Sequence, residues 1–159
     1  MTGVLFVCTG NICRSPLAAE LLRRELAQRG ADGFEVTSAG TGAWDGAPAS
    51  EGAYLVALEH GLDLSRHRAR LLTRDVVKEV DVVLTMARHH RTRAQDLGGE
   101  GKTHLLGEYV GREGAEAEVA DPFGSDLDVY RETFAQLAEL IPETADRLIT
   151  ERTDVDHRA

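Results

Sequence analysis

The thirteen residues from Val4 to Pro16, Val-Leu-Phe-Val-Cys-Thr-Gly-Asn-Ile-Cys-Arg-Ser-Pro, constrain this chain more than any other stretch. Val4 to Val7 is a short apolar run, β-branched enough to be a buried strand. Ser15 and Pro16 lead into Leu-Ala-Ala-Glu-Leu-Leu-Arg-Arg-Glu-Leu, which reads as a helix. Proline suits a first helical turn because the N–H it lacks would have had no partner there. Between strand and helix lie Cys8 and Arg14, separated by five residues, with Gly10 allowing a tight turn. A thiol, an arginine and a ring of backbone amides are thereby expected to converge at a helix N-terminus. Such a place binds an oxyanion and can attack it.

Successive amides in a tight turn form an anion-binding concavity, and the helix behind them adds partial positive charge. A phosphoryl group presents three equatorial oxygens, two of which the planar fork of Arg14 can hold, as lysine could not. A Cys8 sulfur anion beneath the phosphorus is an in-line nucleophile that would form a phosphocysteine. The Ser15 hydroxyl is placed to donate to that sulfur and ease its departure in a second step. Asn11 is expected to hydrogen-bond across the loop and hold its shape, with Thr9, Gly10, Ile12 and Cys13 completing the phosphate-binding turn. A lone C-x5-R is a weak signal, and a cysteine at a strand end is often only core. The composite of strand, C-x4-C-R-S-P and helix is far more specific.

Val-Cys-Thr-Gly-Asn-Ile-Cys-Arg-Ser-Pro closely resembles the signature of the low-molecular-weight protein tyrosine phosphatases and of their bacterial relatives, the protein arginine phosphatases. Further matches run from Val4 to about Ile149. The resemblance implies a flavodoxin-like, three-layer α/β fold with a four-stranded parallel sheet. It also implies hydrolysis of a phosphorylated protein through a cysteinyl-phosphate, with neither metal nor cofactor.

At 159 residues the chain is one domain's worth, and no linker, repeat or low-complexity tract divides it. No apolar stretch approaches the roughly 18 residues of a membrane span, and no basic-then-apolar leader opens the sequence. Two cysteines in one loop do not make a secreted disulfide framework, so the expected location is cytoplasmic. A formal net charge of −9 argues against nucleic acid as a partner. Attraction for an anionic substrate must then be local. Nothing in the sequence bears on oligomeric state.

Alternating strand-like and helix-like segments point independently to a parallel α/β domain. Phe34 to Ser38 reads as the second strand, Ser50 to His60 as a helix, and Thr73 as the N-cap of another. Val80 to Met86 is the third strand, Arg88 to Leu97 a basic helix stopped by Gly98-Gly99, and His104 to Leu106 a short fourth strand. Gly107 to Ala120 reads as a loop. Asp126 to Glu151 is a terminal helix that Pro142 is expected to break or kink, and Thr153 to Ala159 a flexible tail. Ligands in such sheets bind beyond the carboxyl ends of strands, where the strand order reverses. The Cys8 loop and the loops after Ser38, Met86 and Leu106 are expected to border that crevice.

Phosphoryl transfer to sulfur needs an acid for the leaving atom and then a base for water. Asp121, in Ala-Asp-Pro-Phe-Gly, is the candidate: Pro122 keeps it extended, and its place ahead of the last helix matches the family's general acid. Ser38 and His67 match family positions that join Asn11 in a network supporting the loop. Trp44, Phe123 and Ile12 are expected to wall the substrate slot. Cys13 could capture an oxidised Cys8 as a disulfide or pack as a small apolar residue. Arg88 to Arg93 read as a solvated basic face.

Substrate class divides these residues. Ile12 stands where arginine-directed relatives typically carry threonine, and its bulk favours a flat ring. Phe123-Gly124 and Ala87 look more like the arginine group. Ile12 touches the substrate most directly, so the expected substrate is phosphotyrosine, with phosphoarginine the alternative. An arsenate reductase would need further cysteines, and a non-catalytic phosphopeptide binder would usually have lost Cys8, Arg14 or Asp121.

Overall fold

The computed structural model describes residues 1–158, with side-chain surroundings described through residue 152. Four parallel strands form its centre: β1 (Thr2–Cys8), β2 (Phe34–Gly40), β3 (Val82–Thr85) and β4 (Thr103–Leu105), in the order β2-β1-β3-β4. β1 is flanked on both edges, with Val4 paired to Val36 on one side and to Val82 on the other. That position explains the continuous apolar run of β1, since a strand covered on both faces has no polar side to show. Val4, Phe6 and Cys8 face one apolar cluster with Leu17, Leu22, Leu137 and Ile141. Leu5 and Val7 face another with Leu72, Val77 and Val83. The expected three-layer α/β architecture is therefore present.

Helix α1 (Arg14–Gln28) supplies much of the first cluster: Leu17 and Leu22 are wholly buried, each contributing about 1.5–3 kcal/mol. α2 (Glu51–Glu59) starts where Ser50 Oγ accepts the Ala53 amide, and α3 (Arg74–Lys78) where Thr73 Oγ1 accepts that of Val76. Thr73 is the cap read from sequence, whereas Ser50, read as the first helical residue, is the cap of α2. α4 (Arg88–Ala94) continues into a π-helical turn, Gln95–Gly99, within which Gly98 takes φ +99°.

Several boundaries differ from the sequence reading: β2 runs on to Gly40, β3 is only Val82–Thr85, and three further differences change an element. Leu106 opens a helical turn, α5 (Leu106–Tyr109), instead of ending β4, and a 3-10 turn, Gly114–Ala117, follows inside the predicted loop. These two turns meet at Gly107, where a Cβ would lie 2.3 Å from Ala117 Cα. Close approach, invisible in local composition, orders that segment. The last helix, α6 (Leu127–Arg158), runs through Pro142 without interruption and past the predicted end at Glu151. Of the predicted tail, the backbone of 153–158 is helical, and Ala159 lies outside the described residues.

The chain reverses direction across the sheet at β1, with β2 on one side and β3 on the other. The carboxyl ends of β1 and β3 thus form the crevice expected of a switch point. The Cys8 loop opens there. Among the described residues no helix is long and apolar enough to cross a membrane.

Candidate active site

The loop between β1 and α1 is held by the elements around it. Thr41 and Gly42, just after β2, donate backbone N–H bonds to the carbonyls of Cys8 and Thr9 at 3.0 and 2.9 Å. Gly40 makes this approach possible, because a Cβ there would stand 2.4 Å from the Thr9 oxygen. The left-handed turn within the loop falls on Asn11 (φ +56°), not on Gly10 as its composition suggested. Asparagine tolerates that conformation better than most residues. Its buried side chain stabilises it further: Nδ2 donates to Ser15 Oγ and Ser38 Oγ, both at 2.8 Å, and Oδ1 accepts the Arg70 amide at 3.0 Å.

His67 completes the network, its Nε2 donating to the Asn11 carbonyl at 2.6 Å. Burial, the largest influence on it, holds His67 below the usual imidazole range. A carbonyl only accepts, so the ring proton resides on Nε2. Asn11, Ser38 and His67 are thus brought together around the loop, as expected.

Cys8 is buried at the loop's base, its Sγ 2.9 Å from Ser15 Oγ. Because Ser15 Oγ already accepts from Asn11, its own proton is free to point at the sulfur. Arg14 is also buried, with Nη1 on the Val119 carbonyl at 2.9 Å and Nη2 3.7 Å from Asp121 Oδ2. Its Nε is buried with no partner among the described residues. The Nε–Nη2 edge is therefore the part of the fork left for a ligand. Among the described residues, the amides of Gly10, Asn11, Ile12 and Cys13 donate to no protein group. Buried amides without partners are rare. Here four line one turn, those of Asn11 and Cys13 on buried residues and those of Gly10 and Ile12 on half-buried ones.

A cavity of about 240 Å³ opens over these groups, lined by Cys8, Thr9, Gly10, Ile12, Cys13, Arg14, Asp121 and Phe123. Asp121 has about half its side chain exposed, and its Oδ1 caps the Phe123 amide at 3.1 Å. Phe123 stands at the rim. Trp44, expected as a second aromatic wall, is outside the lining set and 84% exposed. Cys13 turns its sulfur toward Ser50 Oγ at 3.1 Å and the Tyr130 hydroxyl at 3.5 Å, and burial pushes its thiol up from the ordinary value. Both cysteines are free thiols.

Two groups escaped the sequence reading. Tyr130 and Ser50 form the seat of Cys13, and only the tertiary fold brings α6 and α2 to it. His90 lies within the segment read as a solvated basic face, yet it is wholly buried and 2.8 Å from Thr9 Oγ1. Arg88 and Arg91 do face outward, paired with Glu118 and Glu108. Helical spacing carries His90 to the inner side. Burial, then His89 and Arg14, lowers its imidazole to about 3.

A depressed folded-state value means that the unfolded chain binds the extra proton first. The contribution of His90 to stability is complete above about pH 6.5 and is lost as pH falls toward 3. In urea unfolding, the wild type is expected to lose about 2–3 kcal/mol more than His90→Gln between pH 7 and 4.5. Parallel losses in the two proteins would contradict this.

Comparison with known proteins agrees with the geometry. The family model described as low molecular weight phosphotyrosine protein phosphatase matches residues 3–154. The chain is 38% identical over 151 residues to a protein-arginine-phosphatase of Geobacillus stearothermophilus, covering 94% of this chain and 97% of that one. It is likewise 38% identical over 144 residues to the low molecular weight protein-tyrosine-phosphatase Wzb of Escherichia coli K12, covering 89% of each. A crystal structure of the low molecular weight protein tyrosine phosphatase from T. tengcongensis superposes with a TM-score of 0.85 at 39% identity, covering 92% of this chain and 99% of that one. With a buried cysteine, an arginine fork and unpartnered amides around one cavity, the chain belongs to the low molecular weight phosphotyrosine protein phosphatase family.

Proposed function

We propose that the protein removes the phosphoryl group from phosphotyrosine in protein substrates, with Cys8, Arg14 and Asp121 as the catalytic residues. The carrying observation is the set of unpartnered donors, the Gly10–Cys13 amides and Arg14 Nε, gathered in the cavity that contains Cys8. Such donors are satisfied by an anion with several acceptor oxygens. In the first step the Cys8 sulfur attacks phosphorus, an S–P bond forms and the P–O bond to the ring breaks, while Asp121 protonates the departing oxygen. In the second, Asp121 takes a proton from water as the water oxygen attacks phosphorus. The S–P bond then breaks, inorganic phosphate leaves, and the Ser15 hydroxyl stabilises the released sulfur anion.

Ile12 on the cavity wall supports an aromatic substrate, because a flat ring gains from apolar contact while a guanidinium needs a polar partner. A second reading, phosphoarginine, draws on the arginine-directed relative and on Phe123-Gly124. The deciding experiment compares phosphotyrosine and phosphoarginine peptides on the wild type and on Ile12→Thr. The wild type is expected to prefer phosphotyrosine, and the variant to shift kcat/KM toward phosphoarginine by about tenfold or more. A wild type that prefers phosphoarginine would overturn the substrate assignment and leave the family intact. An unmoved ratio would remove Ile12 as the selector.

A further inference from the structure

His90 is a buried imidazole that the chemistry above does not use. It lies in the first turn of α4, and each ring nitrogen has a partner. The Ala87 amide donates to Nδ1 at 3.1 Å, so that nitrogen carries the lone pair and the proton resides on Nε2. Nε2 then donates across 2.8 Å to Thr9 Oγ1. With a lone pair of Oγ1 engaged in this way, the hydroxyl's own proton is available to another acceptor.

Thr9 directly follows Cys8 and lines the cavity. It is gripped from two sides of the sheet. Its carbonyl accepts from Gly42, after β2, and its hydroxyl accepts from His90, after β3. The Asn11 network fixes the second half of the loop, and these two contacts fix the first. A hydroxyl left to rotate in water would sample orientations that compete with binding an oxyanion. One whose oxygen accepts from a buried donor has its rotamer held and its proton turned away from that donor.

We propose that His90 is a positioning residue for the phosphate site: through Nε2 it anchors Thr9, fixes the half of the loop nearest Cys8 and presents the Thr9 hydroxyl to the bound phosphoryl oxygens as a donor. This rests on the reading of the Cys8 loop as a phosphate cup.

The test measures kcat and KM for an aryl phosphate, and the inhibition constant of inorganic phosphate. The proteins are the wild type, His90→Ala, His90→Gln, Thr9→Val and the double variant His90→Ala/Thr9→Val. His90→Ala is expected to raise KM and the phosphate inhibition constant about tenfold, with a smaller change in kcat. His90→Gln, whose amide nitrogen can reach the place of Nε2, should recover most of that loss. Thr9→Val, which also removes the hydroxyl itself, should lose at least as much, and the double variant should be no worse than Thr9→Val alone, because His90 acts only through Thr9.

Losses that add in the double variant, or an unchanged inhibition constant in His90→Ala, would overturn the proposal. A merely structural histidine would lower the melting temperature without coupling to Thr9. If His90→Ala does not fold, His90→Gln and Thr9→Val carry the test, and a Thr9→Val protein that binds phosphate like the wild type overturns it. A wild type that neither turns over nor binds phosphate would instead defeat the reading of the loop, and this proposal with it.

Discussion

Cys8→Ser is expected to abolish turnover of aryl phosphates, by about 10^4-fold or more, while inorganic phosphate still binds. The substitution changes one atom at a site buried to 2% exposure, so the surrounding loop has little reason to move. The serine oxygen is a far weaker nucleophile and leaving group than sulfur. The Gly10–Cys13 amides and the Arg14 fork, which would hold the phosphate, remain in place. Steady-state kinetics and calorimetric titration with phosphate separate the two properties. Loss of binding together with turnover would mean that the sulfur holds the cup open and does not attack from its base. Cys13→Ser is the control. Its sulfur faces Ser50 and Tyr130, and its burial disfavours ionisation, so most activity should survive.

Replacing Asp121 by Asn should slow substrates with poor leaving groups by about 10^2- to 10^4-fold, and those with good ones much less. A phenolate of low basicity departs without a proton, while a basic one needs it in the transition state. Asparagine preserves the shape of the rim and can still accept the Phe123 amide, as Asp121 Oδ1 does at 3.1 Å. The loss would then report proton transfer and not a collapsed turn. The dependence of kcat/KM on leaving-group basicity should steepen in the variant. Equal losses across the series would remove Asp121 as the acid and leave it as a partner of Arg14, from which it stands 3.7 Å away.

Much of this site was legible because its central part is contiguous. Cys8, Asn11, Arg14 and Ser15 lie within one turn, so strand, loop and helix signals locate them without knowledge of the fold. Asp121, Ser38 and His67 could be matched by resemblance, but their convergence on the loop needed the sheet. His90 illustrates the opposite case. Its neighbours Arg88, His89 and Arg91 give the segment a solvated composition, and only the pitch of α4 turns one of its five arginine and histidine side chains inward to Thr9. Trp44 erred in the other direction. A tryptophan in a glycine-rich loop invites a role in the slot, yet the path of the chain after β2 leaves it at the surface.

The chain's own residues, taken in order, determined that a parallel α/β unit would be built and that its first turn would carry a thiol and an arginine. Local backbone preferences and apolar periodicity act over a few residues, and that signature fits within a few residues. The tertiary structure alone decided which donors were left without partners, that Asn11 takes the left-handed turn, and that Thr9 is held by a histidine 81 positions away. Those outcomes depend on contacts between β2, α4 and the loop, and hydrogen bonds between distant segments leave no periodic trace in the sequence that makes them.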